Sequence, residues 1–520
     1  MPRQSARGTD TGPAHPKPPQ KPCHNCRRKR LRCDRSFPGC EKCHAKGDKC
    51  LGYGALLRWT DARTTETGPR KSVSPPKQAS ASPPLSASPT STTSSTETSA
   101  AALSVPLADG GNVMDLASMQ SVCTSLIQPL LQDIEPVHRL YISHFDKALC
   151  PDLVSYDQAG AGNPFRIMLT LVHDYAYLRE IILATSAVHR FALCRFFGAP
   201  SQQHLVDALA AKGRAYRFLS QALDHLTPET RPMAMIAVVF FINFELIDSG
   251  RGKWKPHIKA AANLLTSLQS LGNSLPSEIA QLADMVIADY IAYNVYASGF
   301  ANPEENAVST MQSIDIVASL EKVAAHTYGC CPPVVLNILS KATKLFAADT
   351  KAAVHLCEEL IAFDVSAWVH NIKGLGAVDD RGIRIHMANI HRLAVCLYIF
   401  LVVPDTSARM KLTVDALHAE LLACIGNVPF NHLLAKGLVW PTFMASAQTD
   451  DVEVRKWSLR RMNAIRFASP LICPWGYVVA AADMLQGIWE TRDARRATGQ
   501  QESINWLQEI RGMADPCLIV

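Results

Sequence analysis

Cys23-His24-Asn25-Cys26-Arg27-Arg28-Lys29-Arg30-Leu31-Arg32-Cys33 decides how this 520-residue chain is read. Cys40, Cys43 and Cys50 repeat its spacing, so the six cysteines run C-x2-C-x6-C-x6-C-x2-C-x6-C. Six thiols at this spacing suit disulfides or metal. Disulfide scaffolds are short secreted chains with a signal peptide. This chain is long, and Met1 to Gln20 is polar and proline-rich with no apolar core. C-x2-C pairs of thiolates favour tetrahedral zinc. Six ligands are too many for one such ion and too few for two separate ones. Two Zn2+ ions sharing two bridging thiolates need six in all. The half-sites differ in charge: five of the six residues between Cys26 and Cys33 are basic, whereas His44 to Lys49 is mixed. The first half is therefore expected to face nucleic acid.

Charge elsewhere agrees with a local basic footprint. The net charge is +6. Residues 1–50 hold thirteen Lys/Arg against four Asp/Glu, a net +9, which leaves −3 for the remainder. That is a basic head on a near-neutral body. Ten further cysteines (Cys123, Cys150, Cys194, Cys330, Cys331, Cys357, Cys396, Cys424, Cys473 and Cys517) are scattered among apolar residues and read as small reduced core residues. No apolar stretch reaches the roughly 18–20 residues of a membrane span. Met233 to Ile242 reads as a buried helix, and no membrane partner is expected.

The head resembles the fungal Zn2Cys6 binuclear cluster transcription regulators, through its spacing, the run Cys26 to Cys33 and Pro38. The resemblance implies a module of two short helices in which Cys23 and Cys40 bridge the metals. Cys26 and Cys33 would complete one site, and Cys43 and Cys50 the other. It also implies that Lys29 and Arg30, at the end of the first helix, enter the major groove of double-stranded DNA and read a CGG triplet. Arginine suits bidentate contact with guanine. Arg27, Arg28 and Arg32 would neutralise phosphate.

Four segments follow from composition. Residues 1–22 form a basic, proline-rich arm and 23–50 the metal module. Residues 51–112, rich in Ser, Thr and Pro, form a disordered linker. Residues 113–520 show helical periodicity and almost no strand alternation, which predicts a large all-α domain. The expected helices are Val137–Cys150, Phe165–Phe197, His204–Leu226, Pro228–Ile247, Ile258–Leu268, Pro333–Ala347, Ala352–Phe363, Ile383–Leu401, Val414–Cys424, Asp451–Ile465 and Gly476–Glu490. Thr227-Pro228-Glu229 reads as a helix start. Asn163-Pro164-Phe165-Arg166, Ala187-Val188-His189-Arg190 and Trp254-Lys255-Pro256-His257 resemble the fungal-specific transcription factor domain, which implies an all-α regulatory role. The linker lacks the leucine heptad by which many members dimerise, so a symmetric two-triplet site is not assured.

Catalytic signatures are missing. Ser249-Gly250-Arg251-Gly252-Lys253 lacks the upstream glycine of a P-loop, and Trp254 stands where a magnesium-binding hydroxyl would be. His189 and His257 read as packing histidines. His386 and His391 are five apart and share no helix face. The reading is a nuclear, zinc-dependent regulator of RNA polymerase II transcription; the resemblance implies control of one pathway, such as secondary metabolism or drug response. Its helical domain would serve homodimerisation, co-regulator recruitment or a small-molecule effector. The alternative is a zinc-bound nuclear protein-interaction adaptor in which the basic run serves import alone.

Overall fold

A computed structural model describes residues 21–36, 40–47, 50, 133–157, 162–268, 275–304, 314–376, 380–467, 473–499, 505–513 and 517–520. The expected arm up to residue 20, the linker at 51–112 and Cys123 lie outside the described residues. The chain divides into two units, Met1–Asp109 and Gly110–Val520.

The first unit contains two very short helices, α1 (His24–Arg28) and α2 (Glu41–His44). Cys23 and Cys40 occupy the N-cap positions, and each sulfur accepts the amide three residues on. Cysteine here does the work that serine or aspartate does at ordinary helix starts.

The second unit is helical, with no strand among the described residues beyond one isolated bridge between Arg251 and Cys517. It opens with α3 (Pro136–His144), which continues through a π turn at Phe145–Leu149 into Cys150–Asp152. Three long helices then pack on one another: α4 (Ala176–Phe196), α5 (Gln202–Leu223) and α6 (Arg231–Asp248). α7 (Lys255–Leu268) follows α6, and α8 (Ser277–Gly299) packs on both.

The expected buried helix is α6, in which every residue from Pro232 to Ile247 is buried. A helix apolar all round is the inner member of a large core. Phe240 meets Phe145 and Phe165 at 5.8 and 5.9 Å between ring centres. On the next residue, Phe241 stacks on both Tyr216 of α5 and His257 of α7, at 4.2 and 5.2 Å. α9 (Arg381–Val402) is long and apolar enough to cross a membrane, contrary to the expectation that no segment is. Yet 67% of its apolar window is buried inside the protein, so its apolarity is that of a core helix.

Several boundaries differ from the sequence reading. Phe165–Phe197 is two elements: a 3-10 helix, Pro164–Leu171, and α4, separated by a turn before Tyr175. The apolar run Ile167 to Val172 masks this break. Asn163 caps the first piece by accepting the Phe165 amide at 3.1 Å. Arg166 ties it to Asp146 and Asp157 at 2.7 and 2.6 Å. Thr227 does not open α6. It forms a turn with Thr230, which is the N-cap, and Pro232 occupies the first turn. α8 has no counterpart among the expected helices, because its apolar residues surround it and leave no single stripe. The same holds for Val439–Gln448, nine of whose ten residues are buried.

The buried charge of Asp152 is paired. Asp152 lies beside Lys436 at 3.5 Å and near His189 at 3.7 Å, and accepts from the Trp475 indole. His189 in turn meets His144 at 2.9 Å. Burial alone would raise the Asp152 carboxyl; Lys436, His189 and Trp475 outweigh it and hold it below the usual range. Lys436→Met should destabilise this unit by about 3–5 kcal/mol in urea unfolding, because it leaves Asp152 buried without its cation.

Burial also pushes the imidazoles of His257 and His391 down to about 4. The unfolded chain, with histidine near 6.5, then takes up protons first as the pH falls. Stability should drop between about pH 6.5 and 4, by about 1–3 kcal/mol for each residue. Urea midpoints across that range test this, and His391→Leu should flatten the slope.

Candidate metal centre and nucleic-acid interface

The two halves of the cysteine repeat fold alike. The Cys23 amide donates to Cys33 Sγ at 3.4 Å, and the Cys40 amide donates to Cys50 Sγ at 3.4 Å. The Cys26 and Cys43 amides donate to Cys23 and Cys40 Sγ, also at 3.4 Å. Each half is thus a sulfur-capped turn whose third cysteine returns to the first.

The halves meet through their caps. Cys23 Sγ lies 3.4 Å from Cys40 Sγ, and the cross-pairs Cys23–Cys43 and Cys26–Cys40 are both 3.7 Å. The sulfurs of Cys23, Cys26, Cys40 and Cys43 all lie within 4.8 Å of one another, and Cys33 comes equally close to Cys40. Zinc–sulfur bonds of about 2.3 Å in a tetrahedron separate the sulfurs by about 3.8 Å. The donor set and its spacing therefore fit zinc.

Electrostatics points the same way. Burial pushes the thiols of Cys23, Cys26, Cys40 and Cys43 above the ordinary range. Four sulfurs this close cannot all ionise without a cation among them. Cys33 is the exception: amides of Cys23 and Arg35 outweigh its burial and hold it at about 7.

The basic run is displayed outward. Arg27, Arg28, Lys29, Arg30 and Arg32 are all exposed. Lys29 caps the C-terminus of α1, and Arg30 follows in the left-handed region with φ 53°. The turn closes as a Schellman motif, with Leu31 N donating to Cys26 O at 2.8 Å and Arg30 N to Arg27 O at 3.3 Å. In the other half the matching position is Gly47, at φ 70°. Glycine adopts this conformation without cost and arginine does not.

The sequence reading passed over Asp34. Its carboxylate accepts the amides of Glu41 at 3.0 Å and Lys42 at 3.2 Å, so it caps α2 from the other half of the module. It also accepts from the Ser36 hydroxyl, the largest reason its carboxyl is held well below the usual range. Asp34-Arg35-Ser36 has the composition of an Asx turn, the one local signal for this role.

Comparison with known proteins identifies the arrangement. Residues 21–60 match the fungal Zn(2)-Cys(6) binuclear cluster domain, and residues 139–519 match the fungal specific transcription factor domain. The chain belongs to the fungal Zn(2)-Cys(6) cluster transcription factors. The acriflavine sensitivity control protein acr-2 of Neurospora crassa is 35% identical, in an alignment covering 97% of this chain and 99% of that protein. No solved structure matches. The chain is accordingly a zinc-binding, DNA-binding transcription regulator of a family that does no catalysis.

The segments weighed for catalysis have packing roles. The Gly250 carbonyl accepts the Leu518 amide at 2.8 Å, and a side chain at Gly250 would meet Tyr477 Cβ at 2.5 Å. His257 bonds the Tyr216 hydroxyl at 2.8 Å, and His386 the Cys424 carbonyl at 2.8 Å. Chelating zinc from this Zn(2)-Cys(6) regulator should unfold the first unit and leave the helical unit folded. Paired far-UV circular dichroism and zinc release check this. Cys26→Ala should have the same effect without a chelator.

Proposed function

We propose that this protein is a nuclear, sequence-specific regulator of RNA polymerase II transcription whose zinc module reads CGG-like triplets in the major groove. Two zinc ions share Cys23 and Cys40. Cys26 and Cys33 complete one site, and Cys43 and Cys50 the other. Lys29 and Arg30 contact bases, while Arg27, Arg28 and Arg32 neutralise phosphate. The name of the Neurospora relative favours drug response over secondary metabolism as the pathway.

The observation that carries this reading is the unequal pair Arg30 and Gly47. Two turns of the same shape end the two short helices, and only one holds glycine. A backbone outlier retained at a site is a reason to look for function there. Arginine at φ 53° forgoes the easier residue at the tip of a helix fixed by metal, with its side chain exposed. Guanine recognition by a bidentate guanidinium accounts for that choice.

Selection from random duplex DNA by the zinc-loaded full-length protein tests the reading. Enrichment of CGG triplets is expected. Absence of any enriched sequence, with zinc present, would leave the adaptor role. Arg30→Gly separates fold from readout. The variant should bind zinc and resist unfolding at least as well as the parent, since the left-handed strain is relieved. It should lose about 1–3 kcal/mol of affinity for the selected site and little for random DNA. Equal losses on both would make Arg30 a phosphate contact.

A further inference from the structure

Two stretches of this chain contain no acid: residues 181–206 and 454–482 hold neither Asp nor Glu. The fold brings their basic and aromatic ends together. Phe196, which ends α4, meets Phe197 at 5.4 Å and Phe467 at 4.8 Å between ring centres. Arg466 and Phe467 follow the helix Val452–Ile465, and the Arg466 guanidinium lies over the Phe196 ring at 4.6 Å. Burial, and the charge of neighbouring Arg195, push Arg466 below its ordinary range. Phe197 and Phe467 are each 53% exposed, and Arg195 is exposed beside them. Arg466 Nε is buried with no partner. Among the described residues, no carboxylate pairs with either guanidinium. An apolar patch edged by cations in this way marks a contact surface.

The chain enters the helical unit beside this patch. Tyr141 of α3 donates to Asp207 at 2.6 Å and bonds His204 Nδ1 at 2.9 Å. Both partners lie near the start of α5, which begins at Gln202, shortly after Phe197. His144, at the other end of α3, meets His189, further back along α4. α3 therefore runs antiparallel to α4, and its first turn, with Val137 45% exposed, lies toward Phe196 and Phe197. The sequence just upstream has the complementary composition. No Lys or Arg occurs from 78 to 138, whereas Asp109, Asp115, Asp133 and Glu135 do. Leu116, Met119, Cys123, Leu126 and Leu130 recur at i, i+3, i+7, i+10 and i+14, the spacing of one helical stripe. Asp115 stands between Met114 and Leu116, an acid flanked by apolar anchors.

We infer that residues 113–131 dock on the patch of Phe196, Phe197, Phe467, Arg195 and Arg466, with their apolar stripe on the rings and Asp115 beside the guanidiniums. Attachment through the start of α3 strengthens such a contact, because a short tether sets a local concentration of about a millimolar. A second copy of the patch is a poor occupant, since it brings the same cations face to face. Duplex DNA offers phosphates to the arginines but leaves the phenylalanines uncovered. This seam goes beyond the DNA-binding reading and does not depend on it.

The test uses the full-length zinc-loaded protein and a form of it lacking residues 113–131. A fluorescein-labelled peptide of residues 109–133 is titrated into each. The shortened protein should bind it at least about tenfold more tightly than the intact one, whose patch is already filled. A scrambled peptide of the same composition should bind neither. In the shortened protein, Phe197→Ser with Phe467→Ser should abolish binding. Arg195→Glu should weaken it about tenfold, and Asp115→Lys in the peptide should restore it. A second readout needs only the intact chain: with Phe197→Ser and Phe467→Ser, amides of residues 113–131 should exchange with deuterium at least about tenfold faster than in the parent. Equal peptide binding by the two proteins, equal binding of the scrambled peptide, or unchanged exchange in the double variant would each overturn the inference. So would a dimer that the double substitution splits, which would give the patch to a second copy. Loss of affinity for random DNA in Arg195→Glu, with peptide binding unchanged, would give it to DNA and overturn the inference too. Failure to select DNA would leave every one of the peptide and exchange results readable.

Discussion

The described part of the first unit depends on the attraction between buried thiolates and a cation. Helices of five and four residues do not persist in water, because nucleation costs more than so few bonds return. Nor do the described residues supply an apolar core to hold them: their buried cluster consists of Cys23, Cys26, Cys40 and Cys43, with Leu31 beside it. Sulfur replaces the core. The same atoms that cap the helices are those a metal would join, so secondary structure and coordination stand or fall together. Asp34 extends this logic by closing the second helix from the first half. What the arrangement presents is a rigid helix end carrying exposed cations, which is the requirement for placing a side chain against a base edge.

The helical unit solves the opposite problem. It has abundant apolar surface, and its organisation follows from α6, which is enclosed on every side. Phe240 and Phe241 project from adjacent positions into two different aromatic groups, one with Phe145 and Phe165 and one with Tyr216 and His257. One helix thereby fixes the positions of α5, α7 and the opening segment. At its centre the charges of Asp152 and Lys436 enter as a pair.

The zinc module was legible in the sequence because its chemistry is set by spacing. Cysteines at fixed intervals with a basic insert leave few alternatives, and the repeat foretold the matched amide-to-sulfur bonds of the two halves. Asp34 and the turn at Arg30 were harder, since one depends on a contact across the module and the other on a dihedral angle that arginine rarely adopts. In the helical unit, helices with one apolar stripe were readable. Those buried all round were not: α8 shows no periodic contrast between faces. Thr227 and Thr230 illustrate a boundary problem, as either threonine could begin a helix on local grounds and only the proline at 232 fits the observed start.

Two aspartates show how one residue type serves two units that are built differently. Asp152 is surrounded by Lys436, His189 and Trp475, and its charge is absorbed in bonds that tie three distant segments together. Asp34 is exposed, and its charge is held by the amides of Glu41 and Lys42 and by the Ser36 hydroxyl. The first contributes to the fold only because it is paired, since a lone charge in the core costs more than its burial returns. The second needs no cation, because donors at a helix start satisfy it and water remains beside it. Arg30 departs from what stability alone would select: its left-handed backbone carries a strain that glycine avoids at the matching position 47.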